Sequence, residues 1–258
     1  MNDAEATPPI ISTRNRLVLE AARLGRSRER RGSGRTILEG PVLVGEAVSA
    51  GHRLERVFAL TGDRAAREAA RMAGCPLHPV GPEVLARLST TDHPQSPVAV
   101  LVVPPPSART GVRALVAWGL GDPGNCGTLI RTAAAFGYDY IAGPESAETW
   151  SPKVLRAATG GHFHTGIGLV DGIDRLREGR TLVATVPRGG GLPGPLPPNA
   201  AILIGSEPHG LPDEVVAACD LAVTVPMAGA IESLNAAVAG AIVAFIGASG
   251  PRANLATP

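Results

Sequence analysis

Aromatic residues are scarce in this sequence: Phe, Trp and Tyr together make up 3% of its 258 residues. A sandwich fold with an aromatic-rich core is therefore disfavoured. Because 44% of the residues are nonetheless hydrophobic, the core must consist of Val, Leu, Ile and Ala. This composition favours buried parallel strands covered by Ala-rich helices, and the length suits one large domain or two small ones.

Cysteine is also sparse, and its spacing does not suggest a metal. Cys75, Cys126 and Cys219 form no CxxC pair and no zinc-type Cys/His pattern. We therefore expect reduced thiols, a cytoplasmic protein and no bound metal. Residues 1–12 lack the basic and apolar regions of a signal peptide. The longest apolar run, residues 236–248, is too short to span a bilayer and predicts a buried helix, so we expect no membrane association.

Lysine is nearly absent, since Lys153 is the only one, and positive charge is almost entirely arginine. The net charge of +1 gives no reason to expect a nucleic-acid partner. The distribution is more informative, because residues 14–35 hold eight arginines and only two acids, Glu20 and Glu29. The eight are Arg14, Arg16, Arg23, Arg26, Arg28, Arg30, Arg31 and Arg35. Codon bias explains arginine in place of lysine, but it does not explain the clustering.

Short strands and helices alternate along the chain and predict two α/β domains. In the first, strands are predicted at 36–40, 56–60, 77–80 and 98–103, helices at 15–24, 42–50, 63–72 and 82–88, and a basic loop at 26–34. In the second, strands are predicted at 114–119, 140–142, 181–186, 201–204 and 222–225, and helices at 128–136, 152–158, 212–219 and 234–246. We expect a disordered arm at 1–13, a first domain at 14–104, a Pro-rich linker at 105–113, a second domain at 114–250 and a tail at 251–258.

Three polar loops follow predicted strands of the second domain: residues 122–133, 204–212 and 225–239. If those strands are parallel, the loops lie at the carboxyl edge of one sheet, where such folds bind ligands. Helix capping explains Asn125, Ser233 or Asn235 taken singly, and an ordinary turn explains Glu207. Three such loops in one domain favour one composite site.

Arg131 is predicted about two helical turns beyond the first loop. Its guanidinium offers fixed donors for a phosphate or a developing oxyanion, although a solvated surface arginine is an equal alternative. Cys126 precedes a helix, which can lower a thiol pKa, but without a partner base we interpret it as a packing residue. His209 is interpreted as a surface residue.

Taken in order, the loops resemble the SpoU/TrmH family of RNA ribose methyltransferases, within the SPOUT superfamily. The resemblance is carried by residues 122–137 (DPGNCGTLIRTAAAFG), 151–160 (SPKVLRAATG), 204–211 (IGSEPHGL) and 225–235 (VPMAGAIESLN). The run 38–40 (LEG) before an apolar helix is similar to the substrate-binding domain often fused in front of this catalytic domain.

The resemblance implies an α/β fold with a mostly parallel sheet and a C-terminal trefoil knot, preceded by a small α/β RNA-binding domain. It also implies a homodimer that binds S-adenosylmethionine. The catalytic set implied by the matching positions is Asn125, Arg131, Glu207, Ser233 and Asn235. The implied cofactor-binding positions are Thr185, Gly205, Ser206, Glu207, Gly210, Leu211, Val225, Met227, Ser233 and Leu234. The expected RNA-binding residues are Arg14, Arg23, Arg26, Arg30, Arg31 and Arg35.

These features lead to the hypothesis of a methyltransferase that modifies a ribose 2′-hydroxyl in structured RNA, with ribosomal RNA favoured. Three alternatives remain open. The first is a tRNA 2′-O-methyltransferase, the second is a non-catalytic RNA-binding or ribosome-assembly factor of the same fold, and the third is a methyltransferase acting on a base or a protein.

Overall fold

The computed structural model describes residues 8–229 and 233–249. Within them the chain forms two units, one made of the residues before 106 together with 150–163, the other of 106–149 and the residues from 164 on. The expected tail at 251–258 and residues 1–7 of the expected arm lie outside the described residues. No helix in the described ranges has the length and hydropathy needed to cross a membrane.

The strands and helices are numbered in chain order. The strands are β1 (Arg35–Glu39), β2 (Leu54–Leu60), β3 (Leu77–Val80), β4 (Val98–Val102), β5 (Ala114–Ala117), β6 (Asp139–Ala142), β7 (Ile167–Leu169), β8 (Thr181–Thr185), β9 (Ala200–Ile204) and β10 (Leu221–Val223). The helices are α1 (Arg16–Arg23), α2 (Ser27–Ser33), α3 (Pro41–Ser49), α4 (Arg64–Ala73), α5 (Pro82–Leu88), α6 (Pro123–Phe136), α7 (Pro152–Ala158), α8 (Ile173–Arg177), α9 (Asp213–Ala217) and α10 (Ala236–Ala248).

The first unit is built on a four-stranded sheet in the order β1-β4-β2-β3. Strand β4 runs antiparallel to both β1 and β2, while β3 is parallel to β2. Both faces are covered, as β2 shows: Val57 and Ala59 belong to one apolar core, and Phe58 belongs to another. This follows from the alternation of side chains along a strand, and it confirms the prediction of an α/β fold for this part of the chain.

Helix α7 comes from the later half of the sequence but packs in the first unit. Leu155 of α7 and the nearby Phe163 are buried in the same core as Val57. In addition, the Thr36 hydroxyl donates to the carbonyl of Trp150 at 2.7 Å. Sequence analysis assigned this helix to the second domain, because connection order alone does not reveal such an excursion of the chain.

The second unit is built on a six-stranded sheet in the order β10-β8-β9-β5-β6-β7, and every pairing in it is parallel. The central strands β5 and β9 are buried along their whole length. This confirms the expectation of buried parallel strands, which was drawn from the aliphatic composition. Strand β7 and helix α8, which have three and five residues, were not predicted.

Two boundary predictions were wrong. Residues 26–34 are not a loop, because Ser27–Ser33 form α2, which ends at Gly34 in a left-handed conformation with φ of 62°. Helix α6 begins at Pro123 rather than Thr128. Proline is well suited to the first position of a helix, where its missing N–H has no partner to lose.

Helix α10 confirms the apolar helix predicted near the C-terminus, but it is not wholly buried. Val243 and Ala244 face the core, whereas Val238 and Phe245 are 46% and 52% exposed. An apolar helix with one face in solvent exposes a surface that isolated chains rarely leave uncovered.

Candidate active site

The three polar loops meet at one edge of the parallel sheet. They follow β5, β9 and β10, and the last residues of β5 and β9, Ala117 and Ile204, are paired directly. Since neighbouring parallel strands end at the same edge, the loops that follow them are neighbours. The third loop follows β10, two strands away from β9, and is joined to the first by a hydrogen bond from Asn235 to Asn125.

The first loop leads into α6 through a capped helix start. The Asp122 carboxylate accepts a hydrogen bond from the backbone N–H of Asn125 at 2.8 Å, which satisfies one of the free donors of the first turn. Asn125 thus lies inside the helix, not in a turn before it as the sequence suggested. The cap fixes the backbone from which its side chain projects.

Three side chains from the three loops form one hydrogen-bonded chain. The Asn125 amide nitrogen donates to the carboxylate of Glu207, and the Asn235 amide nitrogen donates to the Asn125 carbonyl oxygen at 2.9 Å. Asn235 also caps α10, because its own Oδ1 accepts from the N–H of Val238 at 3.1 Å. Capping and site formation are therefore compatible functions of the same asparagine.

A cavity of about 490 Å³ lies beside this chain of side chains. Its lining includes all the positions expected to bind a cofactor: Thr185, Gly205, Ser206, Glu207, Gly210, Leu211, Val225, Met227, Ser233 and Leu234. Arg188 and Asp213 also line it, although nothing in the sequence pattern singled them out. His209 is exposed, as interpreted from the sequence, and it also lines the cavity.

The loop after β9 forms a tight wall of the cavity. Ser206 and Gly210 exchange two backbone hydrogen bonds, of 3.2 and 2.8 Å, and Gly210 has a φ of 68° that favours glycine. At Gly205 an added Cβ would lie 2.2 Å from the carbonyl carbon of Gly210. Only glycine at position 205 allows the two ends of this loop to approach so closely.

Arg131 lies apart from the hydrogen-bonded chain. It is exposed on α6 and is not among the residues that line the cavity. Within the described ranges no side chain forms a hydrogen bond or ion pair with it. Ser233 lines the cavity, whereas Glu232 lies outside the described residues. The structure therefore brings together four of the five expected catalytic residues and leaves the Arg131 guanidinium available to a partner.

Cys126 is fully buried, and its thiol donates to the carbonyl of Leu120 at 3.1 Å. Burial raises the pKa of this thiol despite the nearby helix start. Because the thiolate is the reactive form, the structure supports packing as the function of Cys126.

The clustered arginines differ in exposure. Arg14, Arg23, Arg26 and Arg31 are exposed. Arg30 is only 7% exposed, and its guanidinium donates to the carbonyl of Leu24 at 2.9 Å.

Arg35 is engaged by an acid. It pairs with Glu55 at 2.9 Å. Partial burial opposes ionisation of Glu55, but hydrogen bonds from Arg35 and Arg56 outweigh it, so the Glu55 pKa lies below its usual value. Of the six arginines expected to bind RNA, Arg30 and Arg35 have partners among the described residues and are thus the least available to an external ligand.

Two family models match the chain. The SpoU rRNA Methylase family matches residues 113–245, and the MRM3-like substrate binding domain matches residues 15–99. A similar protein of Bacillus subtilis, the 23S rRNA (guanosine(2553)-2′-O)-methyltransferase RlmP, is 30% identical over 243 residues, which cover 92% of this chain and 97% of RlmP. An uncharacterised tRNA/rRNA methyltransferase of Synechocystis is 32% identical over 254 residues, 92% of each chain.

Solved structures are similar over nearly the same length. The SpoU methyltransferase AviRb from Streptomyces viridochromogenes, in complex with the cofactor AdoMet, is 25% identical, with a TM-score of 0.81 over 91% of this chain and 97% of AviRb. An AdoMet-bound rRNA methyltransferase from Sinorhizobium meliloti is 25% identical, with a TM-score of 0.83 over 93% of this chain and 97% of the other.

Proposed function

The chain belongs to the SpoU rRNA methylase family, and from this premise we propose that it transfers a methyl group from S-adenosylmethionine to a ribose 2′-hydroxyl of ribosomal RNA. The observation that carries the proposal is the cavity next to the Glu207–Asn125–Asn235 chain. The site combines a cavity of cofactor size with an ordered set of polar side chains at the edge of that cavity.

The cavity fits S-adenosylmethionine in size and in chemistry. Its volume of about 490 Å³ falls within the range of roughly 300–1,000 Å³ typical of small-molecule sites. Leu211, Val225 and Leu234 supply apolar surface for a purine, and the backbone of the same loops supplies donors and acceptors for its edge. When bound, the cofactor supplies an activated methyl group, so the reaction requires no metal.

The side chains then have to orient a weakly nucleophilic hydroxyl. Both ends of the Asn125 amide are fixed, one by Glu207 and one by Asn235, so its direction is set before the substrate binds. Arg131 contacts the adjoining phosphate or stabilises the ribose oxygen as its proton leaves. A neutral guanidine is costly, and we therefore assign Arg131 an electrostatic function and not that of a general base.

Ribosomal RNA is favoured over tRNA because RlmP, to which the chain is similar over 97% of RlmP's length, is named for 23S rRNA. A cytoplasmic location accords with such a substrate. The complete Asn125, Glu207, Ser233 and Asn235 set argues against a non-catalytic assembly factor. We also propose that residues 14–104 form the RNA-binding domain and that 114–250, without the 150–163 segment that packs in the first unit, form the methyltransferase domain. The family matches at 15–99 and 113–245 support this division.

The decisive experiment is transfer of a labelled methyl group from S-adenosylmethionine to total RNA, followed by ribose-methylation mapping. We expect incorporation at a 2′-oxygen of ribosomal RNA. Label in tRNA instead would select the runner-up substrate, and tight RNA binding without incorporation would reject the enzyme hypothesis.

We further propose that the C-terminal part is knotted. Strand β10 lies beside β8 and not beside β9, its predecessor in the chain. The residues after β8 hold it there, since Gly190 donates to the hydroxyl of Thr224 at 2.9 Å and Gly191 and Thr224 are also linked through their backbones. Knots are rare exceptions among folds, and this return of the chain against an earlier loop supports one here.

The apolar surface on α6 and α10 supports a homodimer. Phe136 and Phe245 are 36% and 52% exposed, and their ring centroids lie 5.7 Å apart. Val238 adds a third exposed apolar side chain, and α10 contains no charged residue. We propose that a second copy of the chain covers this surface, because a two-fold interface places the same patch on both subunits.

We predict that Phe245→Glu converts the dimer to a monomer. A carboxylate in an apolar interface loses its hydration without gaining a partner, which costs on the order of several kcal/mol. Sedimentation velocity measures the outcome. Leu192→Glu, at a side chain that is 77% exposed on a loop of the same unit, is the control and should leave the mass unchanged. A dimeric Phe245→Glu protein would remove this surface from the interface.

We predict that the exposed arginines in and next to α1 and α2 set the salt dependence of RNA binding. The plot of log binding constant against log salt concentration has a negative slope. Arg26→Ala and Arg31→Ala should each reduce the magnitude of this slope by about 0.7–0.9, because one phosphate contact is lost. Arg30→Ala should leave that slope unchanged and lower the melting temperature, because Arg30 supports the carbonyl of Leu24. Titrations at several salt concentrations, with thermal unfolding in parallel, distinguish the two effects.

A further inference from the structure

The first unit contains a second cavity, of about 660 Å³. It is lined by the end of β1 with Gly40, by the first turn of α3, by residues of the loop at 89–95, and by Arg156 and Thr159 at α7. Neither the catalytic residues nor the clustered arginines contribute to it.

A buried carboxylate holds the loop that borders this cavity. Glu39 is 8% exposed, and its Oε1 accepts from the hydroxyls of Ser89 and Thr91 at 2.5 and 3.0 Å and from the N–H of Gln95 at 3.2 Å. Its Oε2 accepts from the N–H and hydroxyl of Thr90 at 3.1 and 3.3 Å. With its acceptor capacity filled, Glu39 is not available to a ligand and instead fixes the path of the loop.

The fixed loop presents free polar side chains. Asp92, His93 and Gln95 are exposed, and no hydrogen bond joins their side chains to another described residue. Only their backbones are engaged: the His93 carbonyl lies 3.0 Å from the Thr91 hydroxyl, whose single proton it shares with Glu39, and the Gln95 N–H donates to Glu39. Glu39 therefore holds the loop, while the side chains of Asp92, His93 and Gln95 remain available.

The remaining lining residues supply an apolar surface and a cation. Val42, at the start of α3, is 57% exposed. Arg156 donates one hydrogen bond to the Thr90 hydroxyl at 2.5 Å, and no described acid forms an ion pair with it. A bare anion fits poorly, since Glu39 and Asp92 are both acidic and Arg156 is the only lining residue with a permanent positive charge.

From this arrangement we infer that the cavity receives one unpaired nucleotide of the RNA substrate. The neutral base lies against Val42 with its edge towards His93 and Gln95, and its phosphate contacts Arg156. Proteins commonly read single-stranded RNA by hydrogen bonds to the edges of splayed-out bases, and here Val42 supplies an aliphatic surface for the base. The inference rests on the proposed function, because it assumes that the bound polymer is the methylated RNA.

The test introduces into the cavity a negative charge, of the same sign as the RNA phosphate, without disturbing the loop. Val42→Glu places a carboxylate in the first turn of α3, a position that helices tolerate well, and it blocks the apolar wall. We expect the KM for a 23S ribosomal RNA transcript to rise about tenfold, as for loss of one buried valine contact, while the dissociation constant of S-adenosylmethionine stays unchanged. The double variant His93→Ala/Gln95→Ala, which retains every backbone bond to Glu39, should also raise this KM.

Met72→Glu is the matched control, since Met72 is 58% exposed on α4 of the same unit and the substitution changes the net charge equally. A KM for Val42→Glu within about twofold of that for Met72→Glu would overturn the inference. An effect seen on intact ribosomal particles but not on the naked transcript would assign the cavity to a protein and also overturn it. Wild-type enzyme that methylates no RNA at all would instead reject the proposed function.

Discussion

Arg131→Ala should nearly abolish methyl transfer while leaving the affinity for S-adenosylmethionine unchanged. Arg131 is exposed on α6 and does not line the cofactor cavity, so its loss removes no cofactor contact. A preorganised donor aimed at developing charge contributes about 10²- to 10³-fold to kcat, and we expect a decrease of that order. Single-turnover transfer to RNA and calorimetric titration of the cofactor measure the two quantities separately.

Arg175→Ala is the control for Arg131→Ala. Arg175 is exposed in the same unit and, among the described residues, pairs only with Asp171, at 3.5 Å, so its removal should change transfer by less than about twofold. If Arg131→Ala weakened cofactor binding as strongly as transfer, Arg131 would belong to the cofactor site. Arg131→Lys tests the geometry, since an ammonium keeps the charge but loses the planar fork of donors.

The sequence predicted those parts of the fold that depend on local pattern. The Val-, Leu-, Ile- and Ala-rich composition indicated buried parallel strands, and β5 and β9 are buried throughout. The helix predicted at 63–72 is α4 (Arg64–Ala73), which ends at Gly74 in a left-handed conformation with φ of 60°. In such places propensity, burial and capping all favour the same structure.

The sequence failed where a tertiary contact decided the outcome. The run at 26–34 is polar and reads as a loop, yet the burial of Arg30 against the carbonyl of Leu24 stabilises α2. The excursion of α7 into the first unit depends on Leu155 and on the bond from Thr36 to Trp150, which join residues more than one hundred positions apart. No local pattern contains that information.

The site was predicted by a different route, namely the resemblance of three motifs to one family. Residue spacing alone left capping as an adequate explanation of Asn235. The structure adds the reason why capping and site formation coexist: one oxygen of Asn235 accepts from Val238, while its nitrogen reaches Asn125. The cavity in the first unit had no such motif, because its lining residues are dispersed from 39 to 159 in the chain.

Gly205→Ala should remove cofactor binding more effectively than loss of any single side chain in the cavity. The new Cβ would lie 2.2 Å from the carbonyl carbon and 2.4 Å from the carbonyl oxygen of Gly210, and 2.4 Å from the N–H nitrogen of Leu211. These are backbone atoms, so no rotamer change relieves the overlap, and the wall formed by the loop must move.

Overpacking of a tight site costs about 1–3 kcal/mol, which corresponds to an increase of about 5- to 150-fold in the dissociation constant of S-adenosylmethionine if the strain falls on the cavity wall. Gly194→Ala is the control, because its Cβ would have no neighbour within 4 Å. Calorimetric titration of the cofactor and thermal unfolding of both variants distinguish strain in the cavity wall from a general loss of stability. Weakened binding with an unchanged melting temperature would place the strain in the cofactor wall alone, whereas unchanged binding would show that the loop after β9 does not contact the cofactor.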